Sequence, residues 1–505
     1  MRIIIAFSIL FLNCSIIQRS VSLLSVPPTN IVQSHIKSNA DFSVDPCNDF
    51  YAHVCPSTTN RTFLLNLVRM RSKIIEEYSE EHPQFQEFSQ RRTEEFAKRI
   101  QQFISSGNLT NLCNQNEKLI HQFYVNFLKI EEGANEISEK LKTSTCEEKS
   151  GIIQQLQDPM DKFIRSRELI KLALDGLIAH SQIVKLDQKV RQLFQKLKMA
   201  VSNLLRQTPW LHSANATQHY QDALQAINFT TFLDVIGSIQ RAISAYEKSW
   251  RECVNLLDDA YSEETRLAIC EVIASGEGAK GIQNHSANVY DSDKMDVLKD
   301  RLEVWNSYDN HVYIGNDFML LANTDYLSDL YGSIGFSIAH EILHTLVIDY
   351  KELQQRTPLS PFWTKHSECV EQQSRKTCET FPTIVCNSTI TFEEDAADLL
   401  AYRIVWKEYR RSYKRKTVVE NYESLDDKQL FFYGAAVLFC EQSGMERVSF
   451  KAGSHSNSYQ RINSLMSQMD EFADAFNCKP SDKMIRNKAA HCELLGSNAP
   501  LNRKK

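Results

Sequence analysis

His340 and His344 stand four residues apart in the run His340-Glu341-Ile342-Leu343-His344. Residues four apart lie on one face of an α-helix, so on a helix the two imidazoles can offer nitrogens to a single ion. Zinc accepts such ligands and keeps an open position for water, whose pKa it lowers to about 7. Glu341, beside the first histidine, is placed to take that water's proton during attack on a carbonyl and to pass it to a leaving amine. The expected chemistry is metal-assisted amide hydrolysis, with His340 and His344 as zinc ligands and Glu341 as the general base. The same letters also fit two helix histidines with a surface glutamate between them. The neighbours weigh against that reading. Ile334, Phe336, Ile338, Ile342, Leu343, Leu346 and Val347 make the helix apolar on nearly all sides, and polar groups in a buried helix need a partner.

A third protein ligand has to come from elsewhere in the chain. The long metzincin pattern would need Gly at 347 and His at 350, where this chain has Val347 and Tyr350, so that class is excluded. A downstream helical glutamate is the alternative, and Phe392-Glu393-Glu394-Asp395-Ala396-Ala397-Asp398 supplies one. Glu394 and Asp398 are four apart and share a face. Glu394 is expected to bind zinc, and Asp398 to receive the free ring N–H of His340. Taken alone, this stretch also reads as an acidic helix N-terminus, where carboxylates are favoured by the macrodipole. One Zn2+ per chain is the expected cofactor.

Few Gly and Pro and long stretches of Leu, Ile, Gln, Glu and Lys favour helix over sheet. Apolar residues recur at three- and four-residue spacing in Phe63 to Tyr78, Thr93 to Ile104, Glu117 to Lys129, Asp187 to Leu205 and Phe232 to Leu257, as buried helix faces require. The character changes near Val289. Trp305-Asn306-Ser307-Tyr308 and Val312-Tyr313-Ile314, broken by Asp309-Asn310, predict a short strand or hairpin. A second helical series covers Gly332 to Tyr350, Phe392 to Tyr413 and Lys428 to Glu441. Irregular sequence is expected around Ser454 to Ser458, with a last helix over Met466 to Phe476.

The N-terminus carries Arg2, an apolar run from Ile3 to Leu12, and small or polar residues from Ser15 to Ser22. That is the pattern of a signal peptide cleaved near Ser20–Ser22; an uncleaved anchor with the remainder outside the cell is the alternative. Removing Cys14 with the signal leaves 12 of 13 cysteines, an even number suited to an oxidising compartment. Sequons at Asn60, Asn108, Asn215, Asn228, Asn284 and Asn387 agree with export and glycosylation. The net charge of −6 gives no electrostatic case for a nucleic-acid partner. No membrane span is expected in the mature chain.

In this order the residues resemble the neprilysin/endothelin-converting-enzyme family of zinc peptidases, family M13. The likeness runs from Pro46-Cys47-Asn48-Asp49-Phe50-Tyr51 and Cys55, through Trp250 and Cys253, to Asn306-Ser307-Tyr308. It continues with Tyr331-Gly332-Ser333-Ile334-Gly335 before the histidines, Glu394 to Asp398, Gln429-Leu430-Phe431-Phe432 with Cys440, and His455 with Arg461. The resemblance implies that His455 donates to the oxyanion of the tetrahedral intermediate. It implies that Arg461 pairs with a substrate carbonyl or terminal carboxylate, and that Asn306 and Ser307 lie on an edge strand that aligns the peptide. It also implies the bridges Cys47–Cys478, Cys55–Cys440, Cys113–Cys253 and Cys369–Cys492; Cys146, Cys270, Cys378 and Cys386 have no family partners, and Cys378 with Cys386 reads as a local loop.

The chain departs from the family pattern at several positions. Thr345-Leu346-Val347 replaces Gly-Phe-Asp, Ser307 replaces Ala, Glu393 replaces Gly, Asp395 replaces Asn, and Leu495 stands where the family ends in Trp. The chain is also shorter than the usual family ectodomain, which implies a reduced helical roof over the cavity. The expected fold is mainly α: a two-lobed zincin-type metallopeptidase with a small β element at the active-site cleft. The expected division is a signal at 1–22, a linker at 23–45, a helical covering lobe at 46–288 and a catalytic domain at 289–505. The expected function is that of a secreted zinc metalloendopeptidase acting on small peptides through a zinc-bound water activated by Glu341. The rival is a secreted family member that binds peptides without turnover, kept open by Val347 and the shortened roof.

Overall fold

In the computed structural model the described residues are 31–56, 63–81, 184–256, 304–346, 368–382, 391–413, 425–440 and 455–497, except 214–215 and 308–310, with isolated positions at 270, 274, 277–278 and 388. Among them helix dominates, in agreement with the mainly α expectation, and the strands are three short ones. None of the described helices is long and apolar enough to cross a membrane. Residues 1–22, expected to be a signal peptide, the expected helices over Thr93–Ile104 and Glu117–Lys129, and Val347 lie outside the described residues.

The chain divides into two compact units. One gathers 24–72, 182–231 and 301–505; the other gathers 1–23, 73–181 and 232–300. In the second unit the described helix Phe232–Leu256 ends beside a Cys253–Cys270 bridge. That bridge corrects the implied Cys113–Cys253 pairing. Cys270 follows Cys253 by only 17 residues and comes within a Cα–Cα distance of 5.4 Å, inside the range one disulfide spans. The implied Cys47–Cys478, Cys55–Cys440 and Cys369–Cys492 bridges are all present.

The stretch read as a linker holds a helix, Ile31–Asn39. Val32 and Ile36, four apart, put an apolar pair on one face, and both are buried. The neighbouring segment follows the same logic through polar groups. Asp49 caps the short helix Phe50–Val54 by accepting from the Ala52 N–H, and it also accepts from Tyr459 Oη at 2.7 Å and Asn463 Nδ2 at 3.0 Å. The Tyr51 N–H donates to Asn463 Oδ1. With the Cys47 and Cys55 bridges, these bonds fasten an N-terminal segment onto the same unit as residues 301–505.

The predicted hairpin is present as β2 (Val304–Ser307) antiparallel to β3 (His311–Ile314). A strand not foreseen, β1 (Asn228–Thr230), runs parallel to β3 on its other side. The order β1-β3-β2 makes β2, with Asn306 and Ser307, an edge strand. Beside it a continuous helical run begins at Leu327, passes through one π-helical turn at Tyr331–Gly335, and becomes the histidine helix Phe336–His344. The acidic helix Phe392–Ser412 packs along the histidine helix, and a third helix, Asp427–Leu438, opened by an Asp426/Gln429 capping box, backs the π-turn.

Aromatic rings fill the space among the three helices. Tyr402 stands edge-on to Phe336 at 5.4 Å and lies 5.1 Å from Phe431. Gly332 and Gly434 permit the closest approach: a Cβ on Gly332 would sit 2.2 Å from the Phe431 carbonyl oxygen. The region expected to be irregular, Ser454 to Ser458, leads into a helix the sequence reading missed, Ser458–Ser467. Asn457 caps it, and Ile462, Leu465 and Met466 bury its face beside the small polar Asn463 and Ser467. The helix predicted to be the last begins later than expected, at Asp470–Phe476, and a four-residue helix, Lys483–Arg486, follows it.

Candidate metal centre

Helical spacing does what the sequence required of it. His340 and His344 project from successive turns of the histidine helix, their ring centroids 4.5 Å apart and their planes at 90°. Their Nε2 atoms come within 2.9 Å of each other. From the acidic helix, Glu394 places Oε2 3.1 Å from His340 Nε2 and Oε1 3.4 Å from His344 Nε2. One donor atom from each of these three residues falls within a sphere of mutual distances under 4.8 Å. Around a tetrahedral zinc with bonds of about 2.0–2.1 Å, donor atoms lie roughly 3.3 Å apart. The observed separations bracket that value, and the set of two imidazoles and one carboxylate suits zinc. The residues fit the ion.

Asp398, one turn after Glu394, sets its Oδ1 2.8 Å from His340 Nδ1. A carboxylate there favours the proton on Nδ1 and turns Nε2, with its lone pair, toward the donor cluster. Arg461, from the Ser458–Ser467 helix, donates through Nε and Nη2 to Asp398 and through Nη2 to Glu394 at 3.3 Å. Its guanidinium lies 4.9 Å above the Phe439 ring. The side chain is only 11% exposed, so Arg461 holds the carboxylates in place from behind. His455 reaches the cluster from the segment before that helix, Nε2 at 3.0 Å from Glu394 Oε2, with just over half of its side chain exposed.

The electrostatics follow from this crowding. Burial works against charge on His340, but Asp398 and Glu394 outweigh it and hold the imidazole up at about 10. His344, buried and facing His340, is pushed down to about 3. Burial of Glu394 is likewise outweighed by hydrogen bonds from His340 and His455, which keep its carboxylate ionised far below the usual range. The unit therefore presents a buried, strongly anionic carboxylate pair whose neighbours are poised to exchange a proton for a cation.

Of the residues singled out from sequence, His340, His344, Glu394, Asp398, His455 and Arg461 meet at one place. Glu341, half-buried, follows His340 directly on the same helix. Asn306 and Ser307 are on β2, which packs beside the histidine helix. Three neighbours were missed. Phe439 underlies Arg461, and Ser456 and Thr391 both donate to Asp395, at 2.9 Å each. Ser456 adjoins His455 and Asp395 adjoins Glu394 in sequence, and that adjacency was the signal available.

The family model for peptidase family M13 matches residues 310–492, the stretch that carries every residue of this cluster. Neprilysin-1 of Caenorhabditis elegans is 27% identical over 169 residues, 30% of this chain and 22% of that protein. Endothelin-converting enzyme 1 of Cavia porcellus is 28% identical over 177 residues, 32% of this chain and 23% of that protein. The matched stretch thus spans less than a quarter of the length of these relatives. A solved chain described as the Haemonchus galactose containing glycoprotein complex shares the fold, with a TM-score of 0.53 at 13% identity, over 90% of this chain and 98% of that one. Residues 310–492, with their histidine helix and their acidic helix, thus match the model of peptidase family M13.

Proposed function

We propose that the protein is a secreted zinc metalloendopeptidase that hydrolyses small peptides. The observation that carries the reading is the three-residue donor set of His340, His344 and Glu394, with Asp398 behind His340 at 2.8 Å. A bound zinc ion supplies Lewis-acid polarisation of the scissile carbonyl and acidifies a water. The chain's own residues do the rest. Glu341 accepts the water's proton as oxygen attacks the carbonyl carbon, then delivers it to the departing amine. His455, exposed on one side and beside Glu394 on the other, donates to the oxygen that becomes negative. Asp398 and Arg461 hold His340 and Glu394 in register, and Arg461 offers its remaining N–H to a substrate carbonyl or terminal carboxylate. The peptide aligns along β2, an edge strand among the described residues, where the backbone of Asn306 and Ser307 provides ladder hydrogen bonds.

Cleavage on the amino side of an apolar residue is the specificity we propose, by likeness to the family. The disulfides among the described residues and the signal pattern at residues 1–22 support an exported, oxidised protein. The domain assignment we propose is a catalytic domain at 289–505 and a helical lobe at 46–288. The test is hydrolysis of a quenched fluorescent peptide by the purified protein, with and without a chelator, beside Glu341→Gln. Turnover is expected in the wild type alone, abolished by the chelator and restored by zinc. Equal signals from the wild type and the variant would sink the reading.

A further inference from the structure

His455 poses a positional problem. It approaches the donor cluster from a loop rather than from either ligand helix, and a side chain just over half exposed keeps rotamer freedom that must be suppressed to aim its imidazole. The next residue answers it. Ser456 Oγ donates to Asp395 Oδ1 at 2.9 Å, while the buried Thr391 donates to the other oxygen, Oδ2, at 2.9 Å. Thr391 and Asp395 are four apart around the start of the acidic helix, so the carboxylate is fixed on the body that carries Glu394. One residue further, Asn457 caps the Ser458–Ser467 helix, and Asp49 secures that helix through Tyr459 and Asn463. The His455 segment is thus pinned at its base by the capped helix and at its tip by Asp395.

We propose that Asp395 is a positioning residue that fixes the His455 segment over the donor cluster through Ser456. Asp395 belongs to the acidic helix, so the same rigid element that presents Glu394 also sets where His455 stands relative to it. An ångström of drift in a group that must meet a developing charge is enough to lose most of its effect. The inference rests on the peptidase reading only for its catalytic consequence.

The experiment compares Asp395→Ala, Asp395→Asn, Ser456→Ala, His455→Ala and the Asp395→Ala/His455→Ala double variant in the full chain. Zinc content, kcat and KM on the fluorescent peptide, and hydrogen exchange of the peptide covering residues 455–461 are measured for each. Asp395→Ala and Ser456→Ala are expected to lower kcat by about tenfold to a hundredfold, the scale of one lost hydrogen bond to a charged group. KM and zinc content should stay within about twofold, and exchange at 455–457 should quicken. Asp395→Asn, which keeps one acceptor oxygen, should recover part of the loss. In the His455→Ala background Asp395→Ala should cost nothing further. Losses that multiply in the double variant, zinc lost from Asp395→Ala, or unchanged exchange would each overturn the proposal. Ser456→Ala carries the test if Asp395→Ala does not fold. Absence of turnover in the wild type would count against the peptidase reading, and the exchange measurement would still decide whether Asp395 anchors the segment.

Discussion

The two sides of the donor cluster are built on different principles. On one side, His340, His344, Glu394 and Asp398 come from two helices at four-residue spacing, packed along each other over a shared aromatic core. On the other, His455 and Arg461 come from a loop and a ten-residue helix whose place depends on bonds to residues some 400 positions earlier, Asp49 and Tyr51 among them. The first side is preorganised by helix geometry and needs only the helices to dock. The second is preorganised by individual hydrogen bonds, and each of them is a single point of failure.

Three substitutions separate the sides, beginning with the largest effect. Glu394→Ala removes the ligand on the acidic helix and one acceptor each from Arg461 and His455. Zinc content measured by atomic absorption should fall to background, and peptide hydrolysis by roughly a thousandfold or more. Retained stoichiometric zinc would show that the two histidines do not depend on the acidic helix. Gly332→Ala attacks the docking itself, because the new Cβ meets the Phe431 carbonyl at 2.2 Å. The π-turn and the Asp427–Leu438 helix behind it have to move apart, which costs about 3 kcal/mol. A lowered denaturant midpoint checks it, and an unchanged midpoint would mean the π-turn absorbs the methyl group.

Asp49→Ala probes the other side. It deletes a helix cap worth about 1 kcal/mol and leaves the Tyr459 and Asn463 donors without their acceptor. The expected result is about 2 kcal/mol of lost stability with zinc content retained and kcat lowered, because Arg461 rides on the helix that loosens and His455 on the loop leading into it. Loss of zinc in step with kcat would erase the distinction between the sides.

The histidine helix was legible because its information is local. Spacing, a carboxylate beside the first histidine and an apolar surround are properties of a dozen consecutive residues. Glu394 and Asp398 were legible for the same reason once a third ligand was demanded. The hairpin could be read from alternation and a turn, whereas β1 could not, since three residues after a helix carry no pattern of their own and pair only because β3 is there. The Ser458–Ser467 helix was missed because three Ser and one Asn stand among its ten residues, and these compete with helix locally until a cap and a buried face decide otherwise. The Cys253 pairing was inferred from likeness to the family, while the partner actually taken is 17 residues away.

The sequence alone determined which atoms can bind an ion and which helices carry them, because a helix converts a spacing of four into a shared face whatever surrounds it. Only the tertiary structure decided that Arg461 turns inward onto Asp398 and Glu394. It also decided that His455 stands at the cluster through its neighbour Ser456, and that an N-terminal segment locks the helix between them. Those positions come from hydrogen bonds and disulfides between residues far apart in the chain. Whether two such groups meet depends on the packing of everything between them, and no local pattern records that.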